Sequence, residues 1–165
     1  MKKIVLLTAL FSMLYASSAF ALITMSRHNL SATHPTTDPA YGTVYTTATT
    51  EVCVFCHTPH GGTTDGPLWN RGLATAGSYT PYTSTSMDAT TGQPGGISLA
   101  CLSCHDGTIA LDALRNASGS GGFNATPTTQ GWTFNGIPAS PGNNSLPEDG
   151  RITNLTQNLA DDHPI

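Results

Sequence analysis

All four cysteines of the chain fall in two copies of one five-residue pattern, Cys53-Val54-Phe55-Cys56-His57 and Cys101-Leu102-Ser103-Cys104-His105. Two thiols three residues apart on one tight turn can each form a thioether with a haem vinyl group. The histidine that follows then lies under the iron and donates a ring nitrogen as proximal axial ligand. Cys-x-x-Cys-His is the attachment signal of c-type haem. Cys53, Cys56, Cys101 and Cys104 are therefore the candidate covalent anchors of two c-type haems, with His57 and His105 as their proximal ligands. A covalently held haem cannot dissociate, so it suits an exposed, sparsely packed protein.

Other cysteine chemistries fit less well. A four-cysteine zinc ribbon separates its pairs by about 15–20 residues, whereas residues 57–100 place 44 between them here. Four cysteines in an exported chain could also form two disulfides. Neither explains a histidine directly after both pairs, a coincidence of about one in a thousand for a chain with 6 histidines in 165 residues. A thioredoxin-like pair would need a βαβ context, and none is visible.

Each iron needs a ligand on its other face, and that choice moves the potential over about 0.8 V. His28, His34, His60 and His163 are available, with Met25 and Met87 as weaker alternatives. Four spare histidines for two irons favour bis-histidine ligation over the His/Met pair that raises the potential. His60 lies three residues after His57, across Pro59, and cannot reach the far side of its own haem. It is read as the ligand of the iron carried by His105, which leaves His163 or His28 for the iron carried by His57. His28 has a second reading, as a ligand across a subunit boundary; such a bond would join chains head to tail, a contact that closes rings or extends filaments. His34 is expected to be an ordinary structural histidine.

The elements that must position these residues are faintly marked. Residues 1–21 have the form of an export signal, with Lys2 and Lys3, an apolar run too short to span a bilayer, and an Ala19-Phe20-Ala21 cleavage site. Residues 22–165 are then one exported domain, periplasmic or extracellular, with no transmembrane segment. Both lysines lie in the signal, so four arginines stand against ten acidic residues in the mature chain. That balance excludes nucleic acid and anionic lipid as partners, since both need a basic patch; redox proteins with basic or uncharged docking faces remain.

Residues 35–50, 74–96 and 117–150 are dominated by Thr, Ser, Gly, Pro, Asn and Tyr, without sustained periodicity. The expected fold is mostly irregular and loop-rich, with a few short α-helices, organised around two covalently attached haems. Local helices are expected from a Ser98 cap through Cys104, over residues 109–116, and from Pro147 onward. Leu68-Trp69 and Trp132 to Phe134 are the expected apolar clamps. Because apolar residues are few, folding is expected to depend on haem.

Four blocks carry a resemblance: Cys53 to Gly61, Pro67-Leu68-Trp69-Asn70-Arg71, Cys101 to Gly107, and Asp162-His163-Pro164-Ile165. Together they resemble the multihaem c-type cytochromes with doubled CxxCH motifs, found in metal- and sulfur-respiring bacteria, some of which polymerise as extracellular filaments. The resemblance implies extracytoplasmic electron transfer through bis-His haems and no enzymatic role. It also implies distal-ligand roles for His28 and His163. Similar proteins continue into further CxxCH motifs, so the chain is either a two-haem version or the front of a longer cytochrome. The rivals are a dihaem enzyme of peroxidase type with one open iron, and a zinc- or disulfide-stabilised extracellular binding module.

Overall fold

Residues rich in Gly, Thr, Ser and Pro resist long helices and strands, because turns and side-chain-to-backbone bonds compete with regular ladders. The computed structural model describes residues 22–117, 123–137, 145–146 and 154–162. Residues 1–21, Pro147 and His163 lie outside them, and with them the export signal, the expected third helix start and one distal candidate. Among the described residues there is one α-helix, α1 (Ile97–His105), and one antiparallel pair, β1 (Ala113–Asn116) with β2 (Phe123–Thr129). Three short 3-10 turns, Ile23–Met25, Pro39–Tyr41 and Val52–Phe55, complete the regular structure. No helix among the described residues is long and apolar enough to cross a membrane.

Two expected helices change on inspection. The first starts two residues earlier than a Ser98 cap requires: Gly96 takes the cap position at φ 52°, with no side-chain cap bond. A glycine tolerates that reversal where other residues would be strained. The same helix stops at Gly107, φ 72°, where an added Cβ would strike Asn154 Nδ2 at 2.6 Å. The second expected helix, over 109–116, is a turn followed by β1. Its near-helical leucines, Leu111 and Leu114, are both buried, but the backbone of Arg115 donates to Asn70 O at 2.9 Å, drawing the segment out into a strand. The partner strand β2 contains Pro127, which an edge strand tolerates, and carries no periodic signal.

The scattered apolar residues gather in two clusters. One holds Val54, Phe55, Leu111, Leu114, Phe134 and Leu146, with Cys56, Cys104 and Trp132 leaning on it. Phe55 meets Trp132 and Phe134 edge-on, with centroids 5.8 and 6.2 Å away. The other holds Ala74, Tyr79, Leu99, Leu102 and Leu159. Helix α1 lies between them, sending Leu99 and Leu102 to the second and Cys104 to the first. Trp132 and Phe134 thus behave as the expected clamp, whereas Leu68 is 53% exposed.

Candidate haem-attachment sites

The two pentads reach the same thiol arrangement by different backbones. Cys53 and Cys56 lie on the 3-10 turn and its C-cap, where residues three apart eclipse. Cys56 N and His57 N both donate to Cys53 O, at 3.1 and 2.7 Å. Cys101 and Cys104 lie on the last turns of α1, where residues three apart share a face. In each pair the first cysteine is exposed and the second half-buried, and none of the four is in a disulfide. Burial pushes the Cys56 thiol up to about 11, and neighbouring Cys104 adds to the rise while Arg71 opposes it.

His57 is fixed by the loop that follows it. Its Nδ1 lies 2.7 Å from Pro67 O; a carbonyl only accepts, so Nδ1 carries the proton and Nε2 keeps its lone pair. That is the orientation a metal-ligating imidazole needs. The carbonyl is presented by a tight return of the chain. Thr58 N donates to Leu68 O, Thr63 N donates to Trp69 O, and Trp69 stands edge-on to His57 with centroids 6.0 Å apart. An added Cβ on Gly62 would come within 2.6 Å of the Leu68 carbonyl carbon, so only glycine fits there. Leu68 itself sits at φ 52°, a conformation bulky residues rarely adopt and one that costs about 1–3 kcal/mol. Thr63 Oγ1 and Trp69 Nε1 are buried without hydrogen-bond partners, two groups suited to a carboxylate brought by a cofactor.

His105, at the end of α1, faces another imidazole. The ring of His28 lies with its centroid 6.1 Å from that of His105, at 71° between planes. Two imidazoles on opposite sides of one metal, each bonded through nitrogen at about 2 Å, have ring centres about 6 Å apart. The spacing rule had implied His60 in this place. His60 is instead exposed, and its carbonyl is held by Thr58 Oγ1 and Asn116 Nδ2 at 2.9 Å each.

His28 reaches His105 because its loop is tied internally. Asn29 and Ser31 are fully buried; Asn29 Nδ2 donates to Thr24 O, and Ser31 Oγ to Asn29 Oδ1. His34 is buried too, with Nδ1 2.6 Å from Asn29 O and Nε2 3.2 Å from Gly42 O, stacked on Tyr45. Both of its nitrogens are occupied, which agrees with a structural histidine. Met87 is half-buried, with its sulfur 4.0 Å from Thr91 Oγ1.

The pair Asn70-Arg71 joins the two sites. Asn70 N donates to Cys56 O at 2.8 Å, and Asn70 Nδ2 to Val54 O at 2.7 Å, both in the first pentad. Arg71, completely buried, donates from Nη2 to Ser103 O at 3.0 Å and from Nε to Ser103 Oγ at 3.4 Å, inside the second. Just after the second pentad, Asp106 accepts the Tyr79 hydroxyl at 2.7 Å and both groups of Thr108. Burial, then that bond, push the Tyr79 phenol well above its ordinary value. Sequence reasoning gave Asn70 and Arg71 no role beyond belonging to a similar block. A signal existed: two strongly polar residues directly after Leu68-Trp69, one of them among four arginines.

The described residues hold no group of three or more His, Cys, Asp or Glu placed to share a bare metal ion. A haem asks less, since its porphyrin supplies four nitrogens and the protein one or two axial rings. The residues fit that demand: paired thiols, an oriented His57, and the facing rings of His28 and His105. Among the described residues, five large apolar side chains are exposed, Leu22, Ile23, Met25, Leu68 and Ile97. Each stands within six residues in sequence of a cysteine or histidine of the two sites, or next to Pro67. No model of a known protein family and no characterised protein matches the chain.

Proposed function

We propose that the protein is a dihaem c-type cytochrome that carries electrons outside the cytoplasm. The observation that carries the reading is the facing of His28 and His105 at 6.1 Å, directly after a CxxC pair on α1. When bound, each haem supplies a one-electron iron couple. The chain's own residues do the rest. The cysteines would anchor the group, Pro67 O holds the proton of His57 on Nδ1, and His28 and His105 would hold the same iron between them. With both histidines engaged, that iron would leave no place for substrate, which favours electron carriage over peroxidase chemistry. With His28 beside His105, His163, beyond the described residues, is the remaining candidate ligand for the first iron.

The pentads share one buried cluster through Cys56 and Cys104, and Asn70-Arg71 bolts the turns together. A rigid separation keeps reorganisation small when charge moves between sites. The acidic mature chain suits redox partners with basic or uncharged faces, and the signal-like residues 1–21 suit periplasmic or extracellular delivery.

The test is production with an export and haem-attachment system, followed by intact mass and a pyridine haemochrome spectrum. Two haem additions and no free thiol are expected. Protein carrying zinc, or two disulfides and no Soret band, refutes the reading.

A further inference from the structure

Arg71 is an unusual residue to find fully buried. Its Nη1 donates to Leu111 O at 2.6 Å, and Nη2 donates to Ala110 O at 2.9 Å and Ser103 O at 3.0 Å; Nε points to Ser103 Oγ at 3.4 Å. All four acceptors are neutral. A guanidinium keeps its charge in a protein interior, and burying one without a carboxylate is expensive. A carbonyl-binding task alone could be met by neutral donors. The position therefore asks for another explanation, and it lies between the two attachment turns.

We infer that Arg71 is a potential-setting residue for both haem sites, a buried positive charge that favours the reduced iron on either side. The inference rests on the cytochrome reading above. One side of the geometry is direct: Arg71 grips the carbonyl of Ser103, between Cys101 and Cys104. The other runs through the backbone: the adjacent Asn70 is bonded to Cys56 O and Val54 O. In a medium of low dielectric a fixed charge acts more strongly than in water, and net charge and burial are established levers on iron potentials. Reduction lowers the charge at each iron by one, so a nearby fixed cation stabilises the reduced form at both.

The opposing charges are two buried carboxylates. Asp106, directly after His105, accepts hydrogen bonds from Tyr79 and Thr108. Asp112 is fully buried next to Leu111. Its Oδ2 accepts from Gln130 N and Trp132 N, and its Oδ1 is without a partner. It follows Leu111, whose carbonyl Arg71 grips, and its negative charge is expected to act against that of Arg71.

The experiment is a spectroelectrochemical titration of the full haem-loaded chain and three variants, Arg71→Lys, Arg71→Met and Asp112→Asn. In Arg71→Met the reduced-to-oxidised ratio at a fixed applied potential is expected to fall at least about tenfold at both sites, or about 59 mV for a one-electron couple. Arg71→Lys keeps the charge and should stay within about threefold of the parent on the same scale. Asp112→Asn should move both sites the opposite way. Equal shifts in the Lys and Met variants would make the effect one of packing and overturn the inference, as would a Met variant that moves neither site or only one. Should the Met variant not fold, an Asp112→Asn protein without an upward shift overturns it equally. A parent that carries no haem fails before any potential is read, so loss of the cytochrome reading is seen separately.

Discussion

The two pentads share two cysteines and a histidine at identical spacing and differ in nearly everything that surrounds them. The first sits on a 3-10 turn, and its histidine is oriented by a carbonyl ten residues later in the chain. The second ends an α-helix, and its histidine is met by a ring from a loop 77 residues earlier. The first site is thus assembled mainly by local chain, residues 53–71. The second is a long-range construction whose parts must be held by tertiary structure. A motif specifies which atoms do chemistry; how each axial position is filled depends on which loops the fold can bring over it.

That contrast can be broken most severely at the anchors. Replacing Cys101 and Cys104 together by Ala should leave one haem per chain by intact mass, with the first site's spectrum retained. Loss of both haems would mean the sites are interdependent and the contrast misplaced. The next effect is on one iron's ligation. His28→Ala should convert about half of the low-spin signal, leaving His57's site low-spin, while His60→Ala should leave the His105 site unchanged. Conversion of the His105 site by His60→Ala, and not by His28→Ala, would reverse the assignment. With His28 placed beside His105 of its own chain, the variant is also expected to leave the assembly size unaltered by sedimentation, against the head-to-tail alternative.

Much of the second site was illegible for a physical reason. The sequence marks His28 as one of four spare histidines, with a distal role implied by resemblance alone, and its place beside His105 is held by Asn29, Ser31 and His34, three buried polar residues with no periodic or motif signature. The first site was more readable, since His57, Pro67 and Trp69 lie close in sequence, although the left-handed Leu68 could not be foreseen. The loop-rich character followed from composition. The single helix was legible at its Cys-bearing end and not at its start, because Gly95-Gly96 carry no cap side chain. β1 was misread as helix because leucine spacing is ambiguous over so few residues, and the Asn70 backbone settles it.

A smaller effect is expected where the two regions are joined. Asn70→Ala removes donors from Val54 O and Asn116 O and the acceptor for Asn116 N. A buried group left unpaired costs about 1–3 kcal/mol. Denaturant unfolding of the haem-loaded protein should report a loss of that size. The haem spectra should stay the same, since Asn70 touches backbone and not the axial histidines. A loss below about 0.5 kcal/mol, the level of an ordinary surface change, would remove Asn70 from its role as the joint.

The smallest effect concerns the chain before haem is attached. Cys53 and Cys101 are exposed and Cys56 is half-buried, so the first two should alkylate sooner in the haem-free protein. Burial, with Cys104 adding to it, raises Cys56 to about 11 from an ordinary 9.0. The sign follows from linkage: the folded state favours the protonated thiol, so this contribution to stability is fully present below pH 9 and is lost as pH rises from there through about 11. Residue-resolved alkylation with mass detection, run from pH 7 upward, should show Cys56 labelling last and gaining most near the top of the range. Unfolding monitored in parallel should show the haem-free fold weakening over the same window. If Cys56 labels as early as Cys53 at neutral pH, the first turn is open before haem arrives. The shared cluster through Cys56 and Cys104 would then form only after attachment, and the local first site would depend on haem as fully as the long-range second one.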